Sequence, residues 1–263
     1  MNDGHRAIGV FDSGVGGLTV FREIARALPG EPLIYLGDSA RVPYGTKSPS
    51  TIVRYSLEAA RHLMTRNVKM LVVACNTATA AALPELQKQL PIPVIGVVEP
   101  GARAAVAVTS GVVGVIATEG TVRSKAYTKA IHAIDPDVHV IESAAPLFVP
   151  LAEEGWANTH VAREVAEIYL EPLIDAGIDT LVLGCTHYPI LRGTIEQVVG
   201  GAVAIVDSAE TTALTVKEAL ASPSRVSQPT RQFLVTDAEE RFRRIAGEFL
   251  AQEIEHLELV SLG

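Results

Sequence analysis

Short runs of aliphatic and β-branched residues alternate along the chain with longer segments in which apolar residues return at helical spacing. The runs at 7–11, 33–36, 70–74 and 94–98 are followed by a second set at 112–116, 138–142, 180–184 and 204–206. Each is a few residues long and almost wholly apolar, the pattern of a strand buried on both faces. Between them, 50–66, 83–90, 121–133 and 161–176 carry apolar residues three and four apart with polar ones in between, as helices do when one face packs on a sheet. Apolar strands and amphipathic helices in alternation predict an α/β fold with mainly parallel central sheets.

The pattern also repeats on a larger scale. Ile8-Gly9-Val10-Phe11-Asp12-Ser13-Gly14 aligns with Val113-Gly114-Val115-Ile116-Ala117-Thr118-Glu119. The run 70–74 leading into Cys75-Asn76-Thr77 aligns with 180–184 leading into Cys185-Thr186-His187, and 94–98 before Glu99 aligns with 202–206 before Asp207. Three matches in one order at a nearly constant offset predict two pseudo-symmetric α/β lobes with a cleft between them. The first lobe is expected to comprise 1–98 together with 210–263, and the second 99–209. A charged helix over 237–255 is expected to return to the first lobe.

Composition narrows the partners. With 48% apolar and 20% charged residues the chain is an ordinary globular one with a sizeable core. The charge-free stretch 104–118 is broken by Thr109, Ser110 and glycines and is too short for a membrane span. The first twenty residues lack a basic segment followed by an apolar run, so the expected setting is the cytoplasm. A net charge of −8 with no run of Lys or Arg argues against nucleic acid. That charge also repels anions, so an acidic ligand needs local donors such as backbone amides at helix starts. The oligomeric state is not legible, and a homodimer stays open.

Two cysteines far apart in a cytoplasmic chain are free thiols. Both Cys75 and Cys185 stand where a strand ends and a helix begins, the edge at which parallel sheets bind ligands. A thiolate there is stabilised by the helix start, which is expected to lower its pKa below the free value of about 8.5. If the lobes face each other, one carbon lies between two thiols, and a proton taken from one face can be returned to the other. A lone cysteine is more often a small buried hydrophobe. Equivalent positions in a repeat, followed by the donors Asn76, Thr77, Thr186 and His187, favour chemistry. The loop Asp12-Ser13-Gly14-Val15-Gly16-Gly17 allows close approach to a ligand, but a dinucleotide fingerprint needs a small residue where Thr19 stands, so NAD is set aside. Asp12 either caps a helix, orients a thiol or holds an ammonium group. Cys75, Cys185 and His187 lack a fourth ligand for zinc, so no metal is expected. Pro43-Tyr44-Gly45 reads as a turn after the second strand.

Taken together, Phe11-Asp12-Ser13-Gly14-Val15-Gly16-Gly17, Pro43-Tyr44-Gly45-Thr46, Ala74-Cys75-Asn76-Thr77, Glu99-Pro100-Gly101, Thr118 with Thr121, Pro150-Leu151-Ala152-Glu153-Glu154-Gly155 and Gly184-Cys185-Thr186-His187-Tyr188-Pro189 resemble the glutamate racemase family, within the cofactor-independent aspartate and glutamate racemases. The resemblance covers most of the chain. It implies interconversion of L- and D-glutamate without pyridoxal phosphate or any other cofactor, supplying D-glutamate for peptidoglycan. It further implies that Cys75 deprotonates the D-enantiomer and Cys185 the L-enantiomer, assisted by Asp12, His187 and Glu153, with the adjacent Glu154 competing for that last role. Ser13, Pro43, Tyr44, Gly45, Asn76, Thr77, Thr118, Thr121 and Thr186 would hold the substrate. His187 and Asp12-Ser13 favour glutamate over aspartate. The other readings are an aspartate racemase or another enzyme of the superfamily, and a two-lobed protein that binds an acidic ligand without turnover.

Overall fold

A computed structural model describes residues 6–220, 222–224, 226–254 and 256–262. Among them ten strands form two sheets in which every neighbouring pair is parallel. The strands are β1 (Ile8–Asp12), β2 (Leu33–Gly37), β3 (Met70–Val73), β4 (Val94–Gly96), β5 (Val112–Ala117), β6 (His139–Ala144), β7 (Thr180–Gly184), β8 (Ala204–Asp207), β9 (Arg231–Val235) and β10 (Leu257–Leu259). The helices are α1 (Leu18–Ala27), α2 (Pro49–Thr65), α3 (Asn76–Gln89), α4 (Val98–Val108), α5 (Glu119–Ser124), α6 (Ala126–His132), α7 (Phe148–Glu153), α8 (His160–Asp175), α9 (Arg192–Val199), α10 (Ser208–Ala219) and α11 (Glu239–Leu250).

The sheet orders are β10-β9-β2-β1-β3-β4 and β6-β5-β7-β8. The second repeats the order β2-β1-β3-β4 of the first, with β5 in the place of β1 and β7 in the place of β3. β1, β3 and β7 are buried at every residue, as strands covered by helices on both faces must be. Phe11 pairs with Val73, and Ala117 pairs with Gly184, so the carboxyl ends of β1 and β3, and of β5 and β7, lie side by side. The loops that follow carry Ser13 and Cys75 from one sheet, and Thr118 and Cys185 from the other.

The apolar core runs on from one sheet to the other. Leu18, Phe21 and Ile24 of α1 belong to the same buried cluster as Leu181 and Leu183 of β7 and Ala209, Ala213 and Val216 of α10. Burial of this kind contributes about 25 cal/mol per Å² of apolar surface and holds the two sheets in one mutual arrangement. No helix among the described residues is long and apolar enough to cross a membrane.

Several elements depart from the sequence pattern. α3 starts at Asn76, well before residue 83, because its first turns are small residues buried on more than one side and carry no amphipathic period. The segment 121–133 is two helices, broken where Lys125 takes a left-handed conformation at φ 55°. The helix expected over 237–255 ends at Leu250, and residue 255 lies outside the described residues. β9 and β10 were not legible: β9 opens with Arg231-Gln232, and β10 is an edge strand with Glu258 and Leu259 exposed.

Candidate active site

Cys75 is the N-cap of α3. Its extended backbone turns the side chain back on the helix start, where Sγ accepts the Ala78 N–H at 3.4 Å and the thiol donates to Ser13 Oγ at 3.5 Å. Cys185 leaves β7 in a bend, and its Sγ stands 3.9 Å from His187 Nδ1. Both thiols, one from each sheet, line a single cavity.

The remaining candidates gather around that cavity or directly behind it. Ser13, Pro43, Tyr44, Gly45, Asn76, Thr77, Thr118, Glu153, Thr186 and His187 line it, while Asp12 and Thr121 do not. Asp12 lies beneath, its Oδ2 accepting the Gly14 N–H at 2.9 Å and its Oδ1 accepting from Thr186 Oγ1 at 3.4 Å, so it joins the loop after β1 to the turn after β7. Thr121 is fully buried behind Thr77 and Thr118, with the three hydroxyls 2.8, 3.1 and 3.3 Å apart. Asn76 has a side-chain Nδ2 that is buried and has no hydrogen-bond partner among the described residues. Tyr44 donates its hydroxyl proton to the fully buried carboxylate of Asp38, which also accepts from Arg41 and Thr236.

Two glycines of the glycine-rich loop bring protein segments into close approach. A Cβ on Gly17 would lie 2.5 Å from that of Asp12, and one on Gly16 would lie 2.4 Å from His187 Nδ1. Thr19, which breaks the dinucleotide pattern, donates to the Thr186 carbonyl at 2.9 Å and so ties α1 to the second thiol's turn.

Residues 8–216 match the family model for Asp/Glu/hydantoin racemases. The chain belongs to that racemase family. It is 56% identical over 262 residues to a glutamate racemase of Geobacter metallireducens, covering 98% of this chain and 97% of that one. The crystal structure of a glutamate racemase isoform from Bacillus anthracis superimposes with a TM-score of 0.95 at 42% identity, covering 98% of each chain. A glutamate racemase from Francisella tularensis, solved in complex with D-glutamate, gives 0.93 at 39% identity, again over 98% of each chain.

Burial and neighbouring charge shift several groups in the site of this family member. Burial, with the Asp12 carboxylate nearby, pushes the Cys75 thiol up to about 12 despite its hydrogen bonds with Ser13 and the Ala78 N–H. This corrects the expectation of a lowered value: in so dry a site, desolvation outweighs one helix start. Burial draws the His187 imidazole down, but its contacts with Cys185 and Glu153 prevail and raise it to about 10. His187 is therefore an imidazolium near neutrality, lying between the Cys185 sulfur and the Glu153 carboxylate. Its Nε2 meets Glu153 Oε1 at 3.0 Å, and Arg241 holds Glu153 Oε2 at 2.8 Å. Burial raises Glu153, yet His187, Arg241 and Arg244 together hold it below the usual carboxylate value. Glu154 points outward, 3.6 Å from Arg241. Asp12 is raised, burial outweighing the nearby His187 and the Gly14 and Gly17 amides.

Residue patterning misses several parts of this racemase site. Val42 and Val149 form cavity wall, and an apolar residue on a loop carries no chemical signature. Asp38 follows β2 directly, and its place at a strand's carboxyl end was the available signal.

Proposed function

We propose that the protein is a cofactor-independent glutamate racemase in which Cys185 and Cys75 exchange the Cα proton of the substrate across one cavity. The observation that carries this reading is the placement of one thiol from each sheet in the wall of the same cavity. With the L-enantiomer, the Cys185 thiolate takes the Cα proton, the electron pair passes into the α-carboxylate, and the Cys75 thiol returns a proton to the opposite face. The enzyme is left as Cys185 thiol and Cys75 thiolate, the form that acts on the D-enantiomer. The high value of Cys75 supports the thiol, the proton donor in this direction, as its resting form near neutrality.

In this reading Asn76, Thr77, Thr118 and Thr186, with the Ser13 side chain and the loop Pro43-Tyr44-Gly45, hold the substrate's polar groups. Glu153 keeps His187 charged, Asp12 supports the turn carrying Cys185, and Thr121 orders the other two threonine hydroxyls. The lobes are residues 1–98 with 210–263, and 99–209. The setting is the cytoplasm, where D-glutamate feeds peptidoglycan synthesis. A binding protein without turnover has no use for two thiols facing one cavity. The test is incubation of L-glutamate, and separately L-aspartate, in deuterated water with no added cofactor or metal. D-glutamate carrying solvent deuterium at Cα is expected. Full retention of the original hydrogen, or faster turnover of aspartate, overturns the reading.

A further inference from the structure

Glu99-Pro100-Gly101 stands out in the sequence but has no place in the chemistry above. Gly101 lies in α4, and a Cβ there would come 3.2 Å from Cε1 and 3.4 Å from the hydroxyl of Tyr127. On another side of the same ring, a Cβ on Gly184, the last residue of β7, would come 3.0 Å from Cε2. Two glycines from separate elements thus leave the room that the Tyr127 ring occupies. The ring is fully buried in α6, and its hydroxyl donates to Asn76 Oδ1 at 2.7 Å. Asn76 is the first residue of α3 and follows Cys75 directly, so this bond crosses from the second sheet's helices to the first sheet's cysteine turn.

An amide can present either its carbonyl or its N–H₂ to a ligand. With Oδ1 taken by the phenol, the group left over is Nδ2, the buried atom with no partner among the described residues. A flipped amide would turn a carbonyl oxygen towards an anionic substrate and set its N–H₂ against the phenol, whose proton would have to turn from Asn76 to Ser208. We propose that Tyr127 is a positioning residue that locks the Asn76 amide with its donor facing the cavity, and that Gly101 is a glycine because it holds Tyr127 in place, while Gly184 is hemmed in by the Ile116 carbonyl as well as by the ring. This rests on the reading of Asn76 as a donor to a substrate carboxylate.

The test combines Tyr127→Phe with Asn76→Ala. The bond to substrate is made in ground and transition states alike, so losing its orientation raises KM with little change in kcat. For Tyr127→Phe, KM for glutamate is expected to rise about tenfold in both directions, with kcat within about threefold. Because Tyr127 acts through Asn76, the double variant is expected to be no worse than Asn76→Ala alone. Multiplying effects, or a Tyr127→Phe KM within about twofold of the parent while Asn76→Ala is impaired, overturn the proposal alone. An unchanged KM in Asn76→Ala overturns the reading of Asn76 and the proposal with it. If Tyr127→Phe fails to fold, Gly101→Ala displaces the same ring without removing a polar group. It is expected to raise KM in the parent but not in the Asn76→Ala background, and a parental KM in Gly101→Ala overturns the proposal.

Discussion

Gly16 and His187 meet with no room for a side chain between them: a Cβ on Gly16 would stand 2.4 Å from both the imidazole Nδ1 and Thr186 Oγ1. The loop after β1 is thereby pressed against the turn that carries the second thiol. Asp12 and Thr19 reinforce the contact through Thr186. One end of the first lobe's central strand thus helps to shape the chemistry at the end of the other lobe's.

Gly16→Ala is expected to displace His187, since a forced shift in a packed site costs about 1–3 kcal/mol. Steady-state racemisation should fall by at least about tenfold in kcat/KM while the thermal melt remains cooperative. Parental activity in a folded variant would show that the imidazole need not stand where it does.

Cys75→Ser and Cys185→Ser should each lower racemisation by more than about a thousandfold, because a serine hydroxyl does not ionise as a thiol does and general acid–base partners contribute factors of this order. Melting temperature should change little, the replacement being nearly isosteric. Near-normal turnover by either variant would remove that cysteine from the mechanism.

The two thiols are almost equally buried, 6% exposed for Cys75 and 5% for Cys185, so access does not decide their reactivity. Charge holds Cys75 back. Brief treatment with iodoacetamide at about pH 8 should leave Cys75 largely unmodified, because only the thiolate reacts and the Cys75 proton is held up to about 12. Peptide mass mapping over time reads the extent of labelling, and rapid alkylation of Cys75 would contradict it.

His187 gives the fold a pH signature. Its value is raised from the usual 6.5 to about 10 in the folded protein. The imidazolium's contribution to stability is fully present below about pH 6.5 and is lost as pH rises through about 10. Urea unfolding of the parent should give less stability at about pH 9.5 than at about pH 7, and Glu153→Gln, which removes one of the charges holding the proton, should flatten that slope. A slope identical in the two proteins would separate Glu153 from the titration of His187.

Much of this was legible because parallel strands advertise themselves. An apolar run such as 180–184 followed at once by Cys-Thr-His places chemistry at a strand's carboxyl end without any coordinates, and the repeated order of the two sheets was visible as a repeated order of motifs. What escaped did so for physical reasons. Val149 and Val42 have no chemical mark, and Tyr127 looks like any core aromatic until its hydroxyl is seen against Asn76. The first turns of α3 are buried on several sides, which erases the period by which a helix is recognised. The thiol value was misjudged because helix starts can be read from sequence, whereas the dryness of a cavity belongs to the folded whole.

β9 lies beside β2, and β10 beyond it, although nearly two hundred residues separate β2 from β9 along the chain. During synthesis all four strands of the second sheet leave the ribosome before β9 does, so the half begun first is finished last. Until residues 231–235 arrive, β2 presents a bare row of backbone donors and acceptors, the hazard that invites pairing with a stranger. The nascent protein therefore passes through a stage in which one thiol's sheet is whole and the other's is still open to mispairing.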